Sequence, residues 1–506
     1  MKLRYIYYAV LAAGTLSVAA NQAYAERLVV LHTNDTHSQI DPDDKDRGGV
    51  LRRKALIDSV RGANDNVLLI DAGDAVQGTL YFTLFGGEVE GKVMNEMDYD
   101  IQILGNHEFD NGVEALAEQW RNLDAERLST NYDFRGTELD GLFSPYTIKE
   151  FDGKKIGVIA INLVPDGMIA DKNIGGVKYL DGLKAANSTA WHLKHNEKVD
   201  MVIAVSHIGY SHEPGYSDVD LATRSEDIDI IIGGHSHTTI NPANPDSPAS
   251  RIVNAVGDTV IVAQTGKSGF NVGEIDIDLD NGTADYKLLT VDKRFDDRLD
   301  SDLAEIIAPY KHKVDSVRAI KIGKAAKEFN VREPGLMNWM ADFVRNDARR
   351  LTEKHIDMSI VNKGGIRSSL PKGDVTKGII MQIFPFDNRT VVLELSGRDL
   401  LQAMDVMASR GGDGVSGNVS AIFDPSTGKC TEVLIDGRPL DEDKIYTVAT
   451  IDYLAGGGDY MAPLTNGKVI ASSNEVLFDD MINSFVSGAM KGKKMIPDNT
   501  VRMRSR

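Results

Sequence analysis

Cysteine is almost absent from this sequence, because Cys430 is the only one among 506 residues. A single cysteine excludes an internal disulfide, and it excludes a zinc site built from several thiolates. Burial of apolar side chains must therefore stabilise the folded state. An exported protein without disulfides fits a bacterial envelope.

Positive charge is also scarce: 75 acidic residues oppose 56 lysines and arginines, and the formal net charge is −19. A protein that coats nucleic acid would carry a basic stripe, so this composition argues against a nucleic-acid polymer as the partner. An anionic substrate would have to be attracted by local positive charge, such as bound metals or an arginine cluster.

Long apolar runs are missing beyond the N-terminal segment, so no later segment is expected to span a bilayer. Residues 1–25 have the pattern of an export signal peptide: a basic start, an apolar run and the cleavage pattern Ala23-Tyr24-Ala25. An uncleaved membrane anchor is the alternative, but the apolar run is short and is interrupted by polar residues. We expect a mature protein that starts at Glu26, is periplasmic or extracellular, and has no membrane anchor.

The length of the chain exceeds that of one ordinary core, which predicts two domains. Residues 26–295 alternate apolar runs with helical stretches. This pattern predicts an α/β domain of sheets flanked by helices, with functional loops at the C-terminal ends of strands. Residues 296–319 are predicted to form a charged linker helix interrupted at Pro309. Residues 320–506 show short strands, turns and a helix around 337–350, which predicts an α+β domain.

Five apolar runs of the first domain end in aspartate, asparagine or histidine. Since side chains alternate along a strand, Asp35 and His37 are predicted to lie on the same side where the first run ends. That stretch alone is equally compatible with an Asx-turn. The five endings together predict one cluster of ligands, formed by Asp35, His37, Asp74, Asn106, His107, His207, His235 and His237. The remaining histidines are expected to be surface or satisfied core residues: His32, His192, His195, His212, His312 and His355.

The residue types in this cluster indicate its chemistry. Imidazole, carboxylate and amide ligands without thiolate suit zinc, manganese, iron or cobalt better than magnesium or calcium. The number of ligands exceeds one tetrahedral site, and paired metals about 3.5–4 Å apart are typical of phosphatases and nucleases. Asp74 follows a glycine and is the natural bridge between two ions. With two divalent ions and two carboxylates, the site keeps a charge of about +2, which would attract phosphate.

The motifs of the first domain resemble those of calcineurin-like metallophosphoesterases: Asp-x-His, Gly-Asp, Gly-Asn-His-Glu, Ser-His and Gly-His-x-His. The whole mature chain resembles the secreted 5'-nucleotidases. The resemblance implies a metallophosphoesterase sandwich with βαββ-type sheets, followed by a 5'-nucleotidase C-terminal domain that binds substrate. It implies one metal held by Asp35, His37, Asp74 and His237, and a second held by Asp74, Asn106, His207 and His235.

The resemblance also assigns His107 to the phosphate, with Asp110 as the carboxylate that orients it. A histidine held by a carboxylate has a fixed tautomer and a raised pKa, and it can stabilise charge in a transition state. A helix N-terminal cap at this turn is the alternative interpretation of the pair. The implied reaction is hydrolysis of nucleoside 5'-phosphates to nucleoside and phosphate, by in-line attack of a hydroxide that the two metals supply.

Three stretches of the second domain are weak indications of a binding site by themselves: residues 362–367, 384–386 and 452–459. Glycine-rich segments are most often loops, and aromatic residues are most often part of the core. The resemblance implies that Phe386 and Tyr453 sandwich the nucleobase and that Asp459 accepts hydrogen bonds from ribose hydroxyls. It implies contacts to the phosphate and base from Arg332, Asn362 and Arg367. Tyr453 stands where phenylalanine is common. Lys363 stands where glycine is common, and its charge is expected near the phosphates, where it would favour longer substrates.

Rival functions remain open at this point. The nearest are a nucleotide-sugar or dinucleotide pyrophosphatase and a 2',3'-cyclic phosphodiesterase on the same site. Thiosulfohydrolases share much of the fold, but no feature favours them. A nucleotide-binding protein without turnover would not need the pair His107 and Asp110. We expect a monomer, and a hinge between Asp300 and Ile320 that closes the two domains over the substrate.

Overall fold

A computed structural model describes residues 26–211 and 216–506. The predicted signal peptide and His212 lie outside the described residues. Within the described part of the chain, no helix combines the length and the apolar character that crossing a membrane requires.

The N-terminal domain contains two six-stranded sheets. Its strands are β1 Arg27–Thr33, β2 Val67–Asp71, β3 Ile101–Ile103, β4 Glu126–Leu128, β5 Tyr132–Asp133, β6 Tyr146–Phe151, β7 Lys154–Asn162, β8 Lys178–Tyr179, β9 Met201–His207, β10 Ile230–Ile232, β11 Arg251–Val253, β12 Thr259–Ala263, β13 Asn271–Asp278 and β14 Thr283–Thr290. Its helices are α1 Val50–Arg61, α2 Leu80–Phe85, α3 Glu88–Glu96, α4 Gly112–Trp120, α5 Asp171–Ile174, α6 Gly182–His192 and α7 Asp218–Arg224. The first sheet has the order β14-β13-β1-β2-β3-β4, and the second has the order β11-β12-β10-β9-β7-β6.

The centre of each sheet is parallel, which explains where the functional loops lie. Strands β1 to β4 run parallel, and so do β7, β9, β10 and β12. The side chains of β1, β9 and β10 are buried on both faces from Leu28 onward, as expected for apolar runs without strict alternation. A hydrogen bond joins the two sheets at the C-terminal edge: Asn162 Nδ2 donates to the carbonyl of Leu104, at 2.7 Å. The loops that follow β1, β2, β3, β9 and β10 therefore meet at one edge.

The C-terminal domain mixes short strands with helices. Its strands are β15 Lys321–Ala325, β16 Met358–Val361, β17 Gly373–Thr376, β18 Thr390–Ser396, β19 Gly414–Val415, β20 Val419–Asp424, β21 Lys429–Ile435, β22 Arg438–Pro439, β23 Ile445–Ile451, β24 Lys468–Ser472, β25 Lys494–Met495 and β26 Met503–Ser505. The helices from the linker onward are α8 Ser301–Arg318, α9 Pro334–Leu351, α10 Lys377–Ile383, α11 Gly397–Ser409, α12 Asp452–Ala455, α13 Ala462–Thr465 and α14 Leu477–Val486. The largest sheet has the order β19-β16-β23-β18-β24, with α9 and α11 packed against it. The predicted combination of an α/β domain and an α+β domain is confirmed, while the predicted domain boundaries stay a prediction.

The linker helix differs from its prediction in two ways. It begins at Ser301 rather than Asp296, because the Asp300 carboxylate caps it by accepting the N–H of Leu303 at 2.7 Å. Pro309 lies within the helix and does not end it. Leu303, Ile307 and Val314 are buried, so one face of this helix is packed while the charged face remains in solvent.

His32 corrects a second prediction. It was expected to be a surface residue or a satisfied core residue, but it is fully buried, and neither ring nitrogen has a hydrogen-bond partner among the described residues. Its ring packs against Gly273, where a Cβ atom would not fit. Burial lowers the pKa of His32 to about 3, so the ring is neutral and acts as an apolar filler.

Candidate metal centre and cavity

The loops at the sheet edge adopt a backbone conformation that strand alternation does not predict. Strand β1 ends at Thr33, and Asp35 and His37 have φ angles of 50° and 47°. Asp74, His235 and His237 are also left-handed, with φ of 54°, 74° and 53°. These turns pair with one another, since the N–H of Asp35 donates to Gly73 O and the N–H of His37 donates to Asp74 O. Asp35 and His37 do converge, but through left-handed turns and not through the period of a strand.

Asp35, His37 and His237 form the first group of candidate ligands. His37 Nε2 and His237 Nε2 lie 2.9 Å apart, and His237 Nε2 lies 3.4 Å from Asp35 Oδ1. Burial raises the pKa of Asp35 to about 7 and lowers that of His237 to about 3. Because burial destabilises the charged form of both groups, a bound cation would be the natural partner for their lone pairs.

Asp74, His207 and His235 form the second group. His207 Nε2 lies 3.2 Å from Asp74 Oδ2, and His235 Nδ1 lies 3.0 Å from Oδ1 of Asn106. Asp74 Oδ2 also lies 4.0 Å from His37 Nε2 of the first group. Asp74 is therefore within reach of both groups, as a bridging carboxylate must be.

His207 provides the test of whether these residues fit a metal. Its Nδ1 lies 2.7 Å from the carbonyl of Ala72, which fixes the tautomer and leaves Nε2 as the free nitrogen. That Nε2 is buried and faces the Asp74 carboxylate, with Oδ2 at 3.2 Å. Burial lowers the pKa of His207, but the charges of Asp74 and Asp35 outweigh this effect and raise it to about 10. The environment is thus built to place positive charge at this position, and the donor set fits two divalent ions.

His107 and Asp110 lie beside the candidate ligands. His107 Nδ1 is 2.9 Å from Asp110 Oδ2, and the His107 backbone N–H donates to Asp74 Oδ1 at 2.9 Å. Burial lowers the pKa of His107, but Asp110 and Asp74 outweigh it and the net shift is upward. Helix α4 begins at Gly112 with Asn111 as its N-cap and no side-chain capping bond. Asp110 is therefore a partner of His107 and not a helix cap.

Glu108 is a residue of this site that the sequence motifs did not single out. Its buried carboxylate accepts the backbone N–H groups of Gly105, Asp74 and Ala75, at 2.6, 3.1 and 2.9 Å. Burial, together with the charge of Asp74, raises the pKa of Glu108 to about 8. Glu108 ties the Gly-Asn-His-Glu loop to the loop of the bridging aspartate. The glutamate at the end of that motif was the signal that could have identified it.

A cavity of about 400 Å³ opens beside the candidate ligands and lies between the two domains. Its first wall comes from the N-terminal domain and includes Asp74, Asn106, His107, Asp110, His235 and His237. Its second wall comes from the C-terminal domain and includes Asn362, Arg367, Phe386, Tyr453 and Asp459. The ring centroids of His107 and Phe386 are 6.1 Å apart. Residues more than 250 positions apart thus line one space.

Two predicted contributors do not line this cavity. The Arg332 side chain is exposed, and its backbone N–H donates to Asn330 Oδ1 in a surface turn. The structure therefore does not place Arg332 with the other predicted contacts. Lys363 is also outside the cavity, because its Nζ donates to the carbonyl of Arg410 at 2.6 Å. The Lys363 ammonium group therefore does not add positive charge to the cavity, contrary to the expectation from the sequence.

Contacts between the domains flank the second wall of the cavity. Lys172 Nζ lies 3.0 Å from Asp452 Oδ2, and the N–H of Asp459 donates to Gly167 O at 2.8 Å. Asp452 in turn accepts the N–H of Tyr453 at 3.0 Å. Residues 167–172 of the N-terminal domain thus contact both ends of the predicted nucleoside-binding segment 452–459.

Family models match both parts of the chain. Residues 28–239 match the calcineurin-like phosphoesterase model, and residues 316–465 match the model of the 5'-nucleotidase C-terminal domain.

Relatives match most of the chain. The 5'-nucleotidase of Vibrio cholerae is 29% identical over 502 residues, which cover 90% of this chain and 90% of the relative. The trifunctional nucleotide phosphoesterase of Bacillus subtilis is 27% identical over 87% of this chain, but the match spans only 32% of that longer protein. The crystal structure of a 5'-nucleotidase precursor from Thermus thermophilus is 27% identical, with a TM-score of 0.83, over 95% of this chain and 99% of that one.

Proposed function

The chain belongs to the 5'-nucleotidase family, which joins a calcineurin-like phosphoesterase domain to a 5'-nucleotidase C-terminal domain, and on this premise we propose that it hydrolyses nucleoside 5'-phosphates to nucleoside and phosphate. One observation carries the proposal: a single cavity has metal-ligand groups on one wall and two aromatic rings with a carboxylate on the other. A nucleotide has the matching sequence of parts, since its phosphate is followed by a ribose and a flat base.

The metal centre binds the phosphate end of the substrate in this proposal. Asp35, His37 and His237 would hold one divalent ion, His207, His235 and Asn106 would hold the other, and the Asp74 carboxylate lies within reach of both groups. Bound ions of this kind activate water as the nucleophile at neutral pH and offset charge on the phosphoryl oxygens. We propose zinc, manganese, cobalt or iron, because the ligands combine imidazole, carboxylate and amide without thiolate.

His107 and Arg367 then act on the phosphoryl group. The Asp110 carboxylate holds Nδ1 of His107, so Nε2 is the nitrogen that can donate a hydrogen bond to a phosphoryl oxygen. Arg367 lines the same cavity, with its Cζ atom 5.7 Å from the centre of the Phe386 ring. A guanidinium presents paired donors that match phosphate oxygens. Both groups stabilise the negative charge that the transferred phosphoryl group carries in the transition state.

The second wall selects the nucleoside. Phe386 and Tyr453 stack on the base, which tolerates different bases because every base has a flat face. Asp459 accepts a hydrogen bond from the ribose, and Asn362 lies beside it, with Nδ2 donating to Asp459 Oδ2 at 2.8 Å. The Asn362 amide thus holds the Asp459 carboxylate at the wall of the cavity.

A substrate panel tests the proposed function. Phosphate release is measured with AMP and ATP, and the products formed from UDP-glucose, NAD and cyclic AMP are separated by chromatography, in each case with and without EDTA. We expect AMP to be hydrolysed fastest and EDTA to abolish the reaction. A preference for UDP-glucose or NAD would instead identify a pyrophosphatase, and a preference for a cyclic nucleotide would identify a phosphodiesterase. Binding of AMP without phosphate release under any metal would contradict hydrolysis altogether.

We also propose that the protein is exported, loses residues 1–25 and acts as a monomer without a membrane anchor. The support for export and cleavage is the sequence pattern of a signal peptide with its cleavage motif. The intact mass of protein from the secreted or periplasmic fraction should correspond to a start at Glu26, and an unprocessed mass would refute cleavage. Light scattering after gel filtration tests the monomer, and a dimer mass would contradict it.

A further inference from the structure

Asp459 has a backbone that must be held in place by its neighbours. Its φ and ψ are 54° and 36°, in the left-handed region, within a turn that begins at Gly457. A residue with a Cβ atom adopts this conformation only at a cost in free energy, so other contacts have to maintain it. The groups that do so also determine how its carboxylate faces the cavity.

Arg410 donates two hydrogen bonds to Asp459. Its Nη1 donates to the Asp459 backbone carbonyl at 2.8 Å, and its Nη2 donates to Oδ2 at 2.6 Å. One rigid guanidinium therefore fixes both the backbone and the carboxylate of the same residue. Arg410 itself is steadied by the buried Asp413, whose Oδ2 lies 3.6 Å from Nη1. Arg410 does not line the cavity, and its guanidinium reaches a cavity residue through its two bonds to Asp459.

The hydroxyl of Tyr453 also holds Asp459, through two further hydrogen bonds. It donates to Asp459 Oδ1 at 3.1 Å and accepts the Asp459 backbone N–H at 3.2 Å. A phenylalanine could stack on a base equally well, but it could not make either bond. The hydroxyl therefore links the ring that would contact the base to the carboxylate that would contact the ribose.

The acceptor sites of Asp459 are almost all used. A carboxylate has about four lone-pair sites, two on each oxygen. Arg410 and Asn362 occupy Oδ2, and Tyr453 occupies one site of Oδ1. About one acceptor site then remains, and it is on Oδ1. Asp459 lines the cavity, so that site is available to one donor of a bound ligand.

We propose that Arg410 and the Tyr453 hydroxyl are positioning groups that hold Asp459 ready to accept one ribose hydroxyl, and that they thereby select nucleotides over other phosphate monoesters. This inference rests on the proposed function. It names a residue, Arg410, that acts on specificity without touching the substrate. Because about one acceptor site of Asp459 is free, the carboxylate should bind only one of the two ribose hydroxyls.

The test compares wild type with Arg410→Met and Tyr453→Phe. Substrates are AMP, its 2'-deoxy and 3'-deoxy analogues, and p-nitrophenyl phosphate, which has no ribose. The matched control is Arg398→Met, since Arg398 is an exposed arginine of the neighbouring helix α11. For wild type, removal of one hydroxyl should lower kcat/KM by at least tenfold, and removal of the other should change it by less than threefold.

In Arg410→Met, the KM for AMP should rise at least tenfold with kcat nearly unchanged, and the discrimination between AMP and the sensitive deoxy analogue should disappear. Hydrolysis of p-nitrophenyl phosphate should change less than twofold. Tyr453→Phe should lose part of the same discrimination. A parallel loss of AMP and aryl phosphate hydrolysis would show a general structural defect and overturn the proposal, as would discrimination that persists in Arg410→Met.

Binding measurements separate this inference from the proposed function. If wild type hydrolyses the aryl phosphate but not AMP, the proposed function fails. Calorimetric titration with adenosine and its two deoxy analogues then decides the inference. Wild type should bind adenosine at least tenfold tighter than one analogue, and Arg410→Met should bind both with similar affinity. Equal affinities in wild type would overturn the proposal.

Discussion

The Nδ1 atom of His107 lies 2.9 Å from the Oδ2 atom of Asp110. The carboxylate orients the ring and contributes to the raised pKa of His107, although burial acts in the opposite direction. Because the Asp110 backbone carbonyl also accepts Asn173 Nδ2, a side-chain substitution leaves a second anchor of this turn intact.

Asp110→Asn should therefore lower kcat without preventing folding. An amide keeps the size of the side chain but loses the charge that favours a donating histidine. We expect kcat for AMP to fall about 10–100-fold, with little change in KM. This is no more than the lower end of the effect of a positioned acid or base, because the histidine itself remains. Steady-state kinetics checks this, with Asp124→Asn at an exposed position as the control. An unchanged kcat would show that the Asp110 charge does not contribute to the chemistry through His107.

Asp74 should determine the binding of both metals, because its carboxylate lies within reach of both ligand groups. Asp74→Ala is expected to lower the metal content from about two ions per chain to less than one. His207→Ala, which removes a ligand from only one group, should retain about one. Inductively coupled plasma mass spectrometry after dialysis measures the content directly. Equal losses in both variants would contradict the bridging role.

Gly167 should be essential for the contact between the domains. Its φ is 76°, and a Cβ atom there would lie 2.5 Å from Cδ1 of Tyr460. Gly167→Ala is therefore expected to separate the Asp459 loop from the N-terminal domain and to raise KM for AMP several-fold. The change should be visible as a larger radius of gyration in small-angle scattering.

Gly153→Ala is the matched control for this experiment. Gly153 has a φ of 79°, but no atom lies within 4 Å of the position that a Cβ atom would take there. The alanine variant therefore carries the same backbone strain without the steric contact. If both variants raise KM equally, strain and not the domain contact is responsible.

Glu90 should make the stability depend on pH. Its carboxylate is buried, and burial raises its pKa from 4.5 to about 7. The folded state then holds this proton to higher pH than the unfolded chain does. Its contribution to stability is present below pH 4.5 and is lost as the pH rises to about 7, an effect of about 3 kcal/mol at most.

Glu90→Gln should remove that dependence and stabilise the fold at pH values above the raised pKa. Chemical denaturation on both sides of that pKa measures the free energy of unfolding. Glu118→Gln, at an exposed position of α4, is the control. A pH profile that is identical in wild type and Glu90→Gln would show that Glu90 does not titrate in this range.

The sequence predicts which residues of the candidate metal centre converge, but it does not predict their backbone conformation. Apolar runs that end in Asp74 or His207 are visible in one dimension, and parallel strands bring such endings together. The left-handed turns at Asp35 and His37 are not visible, since aspartate and histidine are also common in extended and helical segments. Their conformation depends on hydrogen bonds to the neighbouring loop at 73–74.

The second domain shows the limits of a motif more clearly. Phe386, Tyr453 and Asp459 lie in recognisable segments and line the cavity. Arg410 belongs to no such segment, and only the tertiary fold brings it to Asp459, 49 positions away. Lys363 lies inside a motif, yet its long side chain turns to a carbonyl outside the cavity. Side-chain direction at such positions depends on neighbours that are distant in sequence.

Five candidate metal ligands have a left-handed backbone, which lowers thermal stability while the side chains serve activity: Asp35, His37, Asp74, His235 and His237. Each costs about 1 kcal/mol that a glycine would avoid. Asp35 and Asp74 also accept backbone N–H groups, which offsets that cost. A laboratory selection for thermal tolerance in the absence of divalent ions would therefore favour glycine at the three histidine positions and drift toward inactive variants. Supplying the ions during selection would reverse the preference, because only the native side chains gain the free energy of metal binding.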